Sequence, residues 1–212
     1  FPILTRHIVA GDRVKFVEQM IADTRHVIFL SMPVMVLFVV LRAQIVRTVL
    51  GSGEFTWTDT RLTAACLALF TISLIPQSLL LLFVRAYYAQ GNTKTPLIVN
   101  IFSAGCMIIG GFVFTYIFNH VSYFQFFIEA LFRVETLPGS SVLMVALAYS
   151  FGAWVGFLMY WILFQKEFPT FSRPVLFTTF QIFSASIIMG FVAHKFLMVF
   201  DDVFNVNTLF GI

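Results

Sequence analysis

Three side chains able to handle a polar or charged group stand inside otherwise apolar stretches: Arg42, Gln77 and Asn100. A cation inside a bilayer is costly and marks a functional site by default. Arg42 falls about two turns inside the first apolar run, roughly 12 Å from Leu50 at about 1.5 Å per helical residue. It is read either as a substrate contact or as a side chain that snorkels or pairs with a neighbouring helix, and the second reading carries more weight. Gln77 follows Pro76, which frees a backbone carbonyl in mid-span. Gln77 or Ser73 could re-satisfy that carbonyl, or Gln77 could line a cavity. Asn100 lies one turn into the third apolar run. A further pair of cations, Arg85 and Lys94, sits in the polar stretch 85–96.

Enzyme chemistry would require clustered carboxylates or histidines at a membrane face. Instead Glu54, Asp59, Glu129, Glu135 and Glu167 are scattered, and no His-Asp or Asp-x-x-Asp pair occurs. Cys66 and Cys106 both fall within apolar runs, which suggests neither a disulfide nor a metal site. No metal and no cofactor are expected. The net charge of +3 comes without a basic stripe, so nucleic acid is not an expected partner.

The elements that position these groups follow from composition. Of 212 residues, 59% are hydrophobic and 11% charged, and the mean hydropathy is +0.93. Soluble domains carry about 25% charged residues, so this chain belongs in a bilayer. The apolar runs are too long and too even for an outer-membrane barrel, whose alternating segments are about 10 residues long. The expected class is all-α: a polytopic membrane helix bundle of about five transmembrane helices plus an interfacial amphipathic helix. The 28 phenylalanines then fill lipid-facing and helix-packing surfaces.

Five spans are expected, at 26–50, 62–84, 96–119, 142–164 and 175–197, since about 20 residues cross a bilayer. They lie within a bundle at 26–200, followed by a tail at 201–212. Before them, residues 1–25 read as a polar loop and surface helix, with Val14, Val17, Ile21 and Ile28 at helical spacing. Pro33 should kink the first span. After it comes a loop in which Trp57 anchors the interface and Thr58 or Asp59 caps the next helix. The stretch 85–96 has a Gly-Asn turn pair, and Pro96 can open the third span in its first turn. Gly105, Gly110 and Gly111 permit close approach or flexibility there. Residues 123–135 place Gln125, Glu129 and Arg133 on one face and Phe124, Phe127, Ile128, Leu131 and Val134 on the other. This predicts a Glu129–Arg133 ion pair on a helix lying along the bilayer surface. In the fourth span, Ala148, Gly152 and Gly156 form a small-residue face for tight helix packing.

Charge orients the bundle. Arg6, Arg13, Lys15, Arg25, Arg85, Lys94, Lys166 and Arg173 fall on one side, and Arg47, Arg61, Arg133 and Lys195 on the other. The side with eight is expected to be cytoplasmic. The chain opens on Phe-Pro-Ile-Leu-Thr-Arg without an initiator Met, which reads as the tail of an earlier hydrophobic element. A piece of a longer transporter is therefore expected.

Four motifs now fall in order. The opening Pro2-Ile3-Leu4-Thr5-Arg6 runs on to Ala10-Gly11-Asp12, and Pro33 follows Arg25 by eight residues. Gly53, Phe55 and Asp59 lie in a Gly-x-Phe-Thr-x-x-Asp loop. Tyr88, Thr93, Thr95 and Pro96 lie in the Arg-Ala-Tyr-Tyr-Ala…Asn-Thr-Lys-Thr-Pro stretch. Together these resemble the MurJ/MviN lipid II flippases of the multidrug/oligosaccharidyl-lipid/polysaccharide exporter superfamily. The resemblance covers residues 1 to about 118, and beyond that only hydropathy matches. It implies part of a fourteen-helix exporter fold, with this chain supplying the ninth to thirteenth helices. It also implies a multi-pass protein of the bacterial inner (plasma) membrane that takes part in peptidoglycan and cell-wall biogenesis. Its partners would be the bilayer, a lipid-linked oligosaccharide and a missing N-terminal lobe of the same protein. The implied activity is alternating-access movement of an undecaprenyl-pyrophosphate-linked headgroup.

The family's substrate arginines fall mostly outside this chain. Arg85 and Lys94 could attract the pyrophosphate, though obedience to the positive-inside rule explains them more simply. Some members carry Asn and Asp one turn apart at positions that correspond to Met107 and Gly111, so a coupling cation is left unspecified. A polysaccharide or O-antigen flippase, or a drug/cation antiporter of the same superfamily, is the alternative. A membrane-embedded transferase is more remote, and a purely structural membrane subunit is a further reading.

Overall fold

Capping chemistry sets where the helices of this chain begin and end. The structure, a computed structural model, describes residues 6, 8, 10–51, 56–135, 137 and 139–204, with side chains through residue 200. From Arg13 onward the helices are α1 (Arg13–Val40), α2 (Arg42–Leu50), α3 (Trp57–Ile72), α4 (Leu74–Ala89), α5 (Lys94–His120), α6 (Ser122–Phe132), α7 (Val142–Glu167) and α8 (Ser172–Phe204). The fold is all-α, and among the described residues five helical units are long and apolar enough to cross a bilayer: Arg13–Val40, Trp57–Ala89, Lys94–His120, Val142–Glu167 and Ser172–Phe200.

At the start of α1, Asp12 accepts from the Lys15 backbone N–H at 3.1 Å and pairs with its ammonium at 2.9 Å. One helix then runs unbroken through residue 25, so the expected surface helix and the span after it are a single element. The reason lies in its buried stripe: Phe16, Met20, Thr24, Ile28 and Met32 repeat every four residues on one face. Pro33 sits within this helix, and the interruption comes later, at Leu41, with φ −89° and ψ 6°. The apolar unit therefore ends at Val40 where residue 50 was expected, and Arg42 opens a separate short helix.

α3 begins with a capping box that differs from the expected cap. Thr56 is the cap residue: its hydroxyl oxygen accepts from the Asp59 N–H at 3.3 Å, and the Asp59 carboxylate accepts from the Thr56 N–H at 3.0 Å. Asp59 is thus the reciprocal partner, because the box requires its acid three residues after the cap. α3 and α4 form one membrane-length unit broken at Ser73. Pro76 has no N–H for the carbonyl of Ile72, and the Ser73 N–H bonds three residues back to the Phe70 carbonyl at 3.0 Å in place of the helical partner Leu69. The compensation expected from side chains does not occur there. The Ser73 hydroxyl donates to the Phe70 carbonyl at 2.6 Å, and Gln77 reaches across to another helix.

Two apolar clusters lie at opposite ends of the bundle. At one end the fully buried Phe83 ring stands 5.4 Å from Phe164, 5.9 Å from Phe171 and 6.1 Å from Tyr160. Most of these ring pairs are tilted or edge-on, the arrangements that ring quadrupoles favour. Phe16 of α1 joins the cluster 5.7 Å from Phe168. At the other end Leu143, Met144 and Val134 are buried with Ala65, Leu69 and Phe118. The start of α1, the α4–α5 turn and the α7–α8 linker therefore meet at the first end, and α6 covers the second.

The element expected at 123–135 is α6, which stops at Phe132. Arg133 adopts the left-handed conformation, φ 56° and ψ 41°. The Val134 N–H then bonds back to the Glu129 carbonyl at 2.9 Å and the Arg133 N–H to Ala130 at 3.2 Å. This is a Schellman ending, anchored by the buried side chain of Val134. The expected Glu129–Arg133 pair does not form, because Arg133 has left the helix. Glu129 is 7% exposed and accepts from Gln125 at 3.1 Å and from the Ser140 hydroxyl at 2.9 Å.

Candidate functional site

The α4–α5 turn shows how closely its sequence dictates its geometry. Gly91 takes φ +74°, which an L side chain rarely adopts. The Asn92 N–H bonds to the Tyr87 carbonyl and the Gly91 N–H to Tyr88, both at 3.0 Å, which closes α4 in a Schellman motif. The Asn92 side chain then accepts from the Thr95 N–H at 3.1 Å and donates to the Thr95 hydroxyl at 2.9 Å, so it holds the first turn of α5. Pro96, third in that helix, is buried, and its carbonyl accepts from the Tyr160 hydroxyl at 3.3 Å. Arg85, Tyr88, Thr93 and Lys94 are exposed around the turn. Gly53 and Phe55 lie outside the described residues.

Three contacts pin α5 against α7. A Cβ at Gly110 would stand 3.6 Å from the Ala148 methyl. One at Gly152 would stand 2.1 Å from Met107 Cγ, and one at Gly156 2.8 Å from Ser103 Oγ. With no side chain in the way, Ser103 also donates to the Gly152 carbonyl at 2.8 Å. Ser150, on the other flank of α7, donates to the Leu69 carbonyl at 2.6 Å. Such hydroxyl-to-backbone bonds satisfy polar groups that would otherwise face apolar surroundings.

Gln77 and Asn100 meet tyrosines of α7. Gln77 is half-buried and donates to the Tyr149 hydroxyl at 2.9 Å. The buried Tyr160 hydroxyl shares its one proton between the Pro96 carbonyl and Asn100 Oδ1, the latter at 3.4 Å, while Asn100 itself is on the exposed side of α5. Tyr149 and Tyr160 are eleven residues apart, close to three turns, so they share a face about 16 Å from one to the other. Gln77 and Asn100 are thus held on one face of α7 but at different depths. Arg42 joins neither. Its guanidinium lies over the Phe132 ring, 5.8 Å from the centroid, at the α6 end of the bundle. Arg47 stacks similarly on Trp57 at 5.3 Å. From sequence neither tyrosine was expected to hold Gln77 or Asn100. The available signal was that a Tyr hydroxyl inside an apolar helix needs a partner, with Gln77 and Asn100 among the few groups able to supply one.

Five apolar helical units, with polar side chains engaged in helix-to-helix hydrogen bonds, define a polytopic α-helical membrane protein. The family model described as Lipid II flippase MurJ matches residues 1–123, so the chain belongs to the MurJ family. A probable lipid II flippase MurJ of Buchnera aphidicola is 27% identical over 168 residues, covering 78% of this chain and 28% of that protein. One from Borreliella burgdorferi is 26% identical over 101 residues, covering 48% of this chain and 20% of that protein. The chain therefore spans only 28% and 20% of the lengths of these two curated relatives. A solved structure, lipid II flippase MurJ in an inward closed conformation, shares the fold with a TM-score of 0.57 at 22% identity. That match covers 98% of this chain and 43% of the other. The chain is thus part of a multi-pass protein of the bacterial inner membrane.

Proposed function

We propose that this chain forms a lobe of a lipid II flippase, a transporter and not an enzyme. The whole protein would move an undecaprenyl-pyrophosphate-linked headgroup across the inner membrane by alternating access. The family match over residues 1–123 carries the reading, and the names of the curated relatives support it. The second lobe, with the arginines that would meet the substrate, is the partner this reading requires.

Within the lobe, alternating access needs a rigid part and a part that gives. The aromatic cluster around Phe83 suits the first role. The helix interruptions at Leu41 and Ser73 suit the second, since hinges fall at element ends that absorb backbone change. Gln77 and Asn100 would border the headgroup path with amides already oriented by Tyr149 and Tyr160. Arg42, outside the first apolar unit, would act at the far end and not at mid-membrane. Arg85 and Lys94 would fix orientation by the positive-inside rule.

Complementation tests the reading. A bacterium depleted of its own lipid II flippase and expressing the full-length gene should regain growth. No rescue, with the protein inserted at normal abundance, would contradict it.

A further inference from the structure

We propose that Arg42, Arg61 and Arg133 form a binding site for the phosphate of an anionic phospholipid headgroup, at the end of the bundle opposite the α4–α5 turn. The three arginines come from three elements: Arg42 and Arg61 reach the consecutive residues Phe132 and Arg133, and the second of these is the third arginine. Arg42 of α2 lies over the Phe132 ring at 5.8 Å. Arg61 of α3 donates through Nη2 to the Arg133 carbonyl. Arg133 is the exposed left-handed residue that ends α6.

Among the described residues the charges there are unbalanced. Arg42 lies over the ring of Phe132, the residue directly before Arg133, so two like charges stand side by side in the site. Among the described residues neither guanidinium has a hydrogen bond or an ion pair. Glu129, one turn back along α6, is turned inward and engaged by Gln125 and Ser140. Glu135, two residues further on, has an interaction of its own. Cations assembled in this way are stabilised by an anion supplied from outside, and guanidinium groups match phosphate oxygens in geometry.

α6 indicates the source of that anion. Tyr123, Phe126, Phe127 and Leu131 are exposed on it, from 56% to 89%. An apolar helix face beside basic side chains fits the boundary between acyl chains and headgroups. Lipid phosphates lie at that level, whereas a soluble anion would gain nothing from the apolar face.

The test uses the full-length protein, wild type and an Arg42→Gln/Arg133→Gly double variant. Glycine suits the left-handed position, so that second change removes charge without disturbing the end of α6. Lipid retention is read by native mass spectrometry after titration with phosphatidylglycerol, with phosphatidylcholine and with inorganic phosphate at matched ionic strength. The wild type should prefer phosphatidylglycerol, and the double variant should bind it about thirtyfold more weakly. Its unfolding midpoint in phosphatidylcholine should stay unchanged. Should Arg42→Gln lower that midpoint, Arg133→Gly alone decides, with a loss of about fivefold expected. Equal phosphatidylglycerol binding by wild type and variant would overturn the proposal. So would competition by inorganic phosphate as effective as that of the lipid, which would make the site one for free anions.

Discussion

At Gly152 a Cβ would stand 2.1 Å from Met107 Cγ and 3.1 Å from the Met107 backbone nitrogen. The first contact could yield by a side-chain rotation, but the second involves backbone and requires α5 and α7 to separate. Gly105 lies on α5 with nothing within 4 Å of its would-be Cβ. Gly152→Ala should therefore destabilise the protein by about 1–3 kcal/mol through overpacking. Gly105→Ala should leave stability unchanged or raise it by up to about 1 kcal/mol, since alanine is the better helix former and meets nothing there. Thermal unfolding of the full-length protein in detergent checks both, and equal effects would mean that α5 and α7 do not pack through Gly152. The four-residue repeat of small residues was readable in sequence because close helix approach tolerates little else. Which residue of α5 each one meets was not, since Met107 and Ser103 carry no mark of their partners. The α4–α5 turn was more fully legible: Gly-Asn followed by Pro96 allows few backbone paths, and one of them is observed.

At the scale of elements, sequence periodicity succeeded where a helix continued and failed where one stopped. The spacing of Gln125, Glu129 and Arg133 presupposes a helix through residue 133, and the chain turns left-handed at that residue. The signal against it was Val134, an apolar residue directly after a charged one, which can anchor a Schellman ending by burial. The polar face of α6 is consequently turned partly inward, through Glu129 and Ser140. A double-mutant cycle of Glu129→Ala and Ser140→Ala should show a coupling of about 1.5–3 kcal/mol, as for a hydrogen bond to a charged group. The cycle of Glu129→Gln with Arg133→Gly should show none beyond about 0.3–0.5 kcal/mol. The reverse pattern would restore the simple amphipathic helix. The break at Leu41 had no local signal: Pro33 was the only helix-breaking residue in that run, and α1 passes through it.

At the scale of the molecule, loops that sequence charge sorted onto one side also share one end of the structure. Phe16, Tyr87, Phe164 and Phe171 bring the start of α1, the α4–α5 turn and the α7–α8 linker together. This end should be cytoplasmic. Single cysteines at Thr93 and Tyr123 test that orientation: an impermeant thiol reagent added outside intact spheroplasts should label Tyr123→Cys and spare Thr93→Cys. The opposite pattern would invert the bundle. Apolar composition and run length made the number of bilayer-length units legible. The placement of Arg42, Gln77 and Asn100 relative to one another was not, because each is held by a packing partner that lies far away in sequence.

The central claim concerns transport, and the direct measurement is the amount of lipid-linked peptidoglycan precursor exposed on the outer leaflet. Cells would be depleted of the full-length protein and the outer-leaflet precursor labelled by an impermeant reagent. The account predicts that exposed precursor falls as the protein is lost while the total cellular pool rises. Unchanged exposure, with the protein gone and no other flippase present, would contradict it.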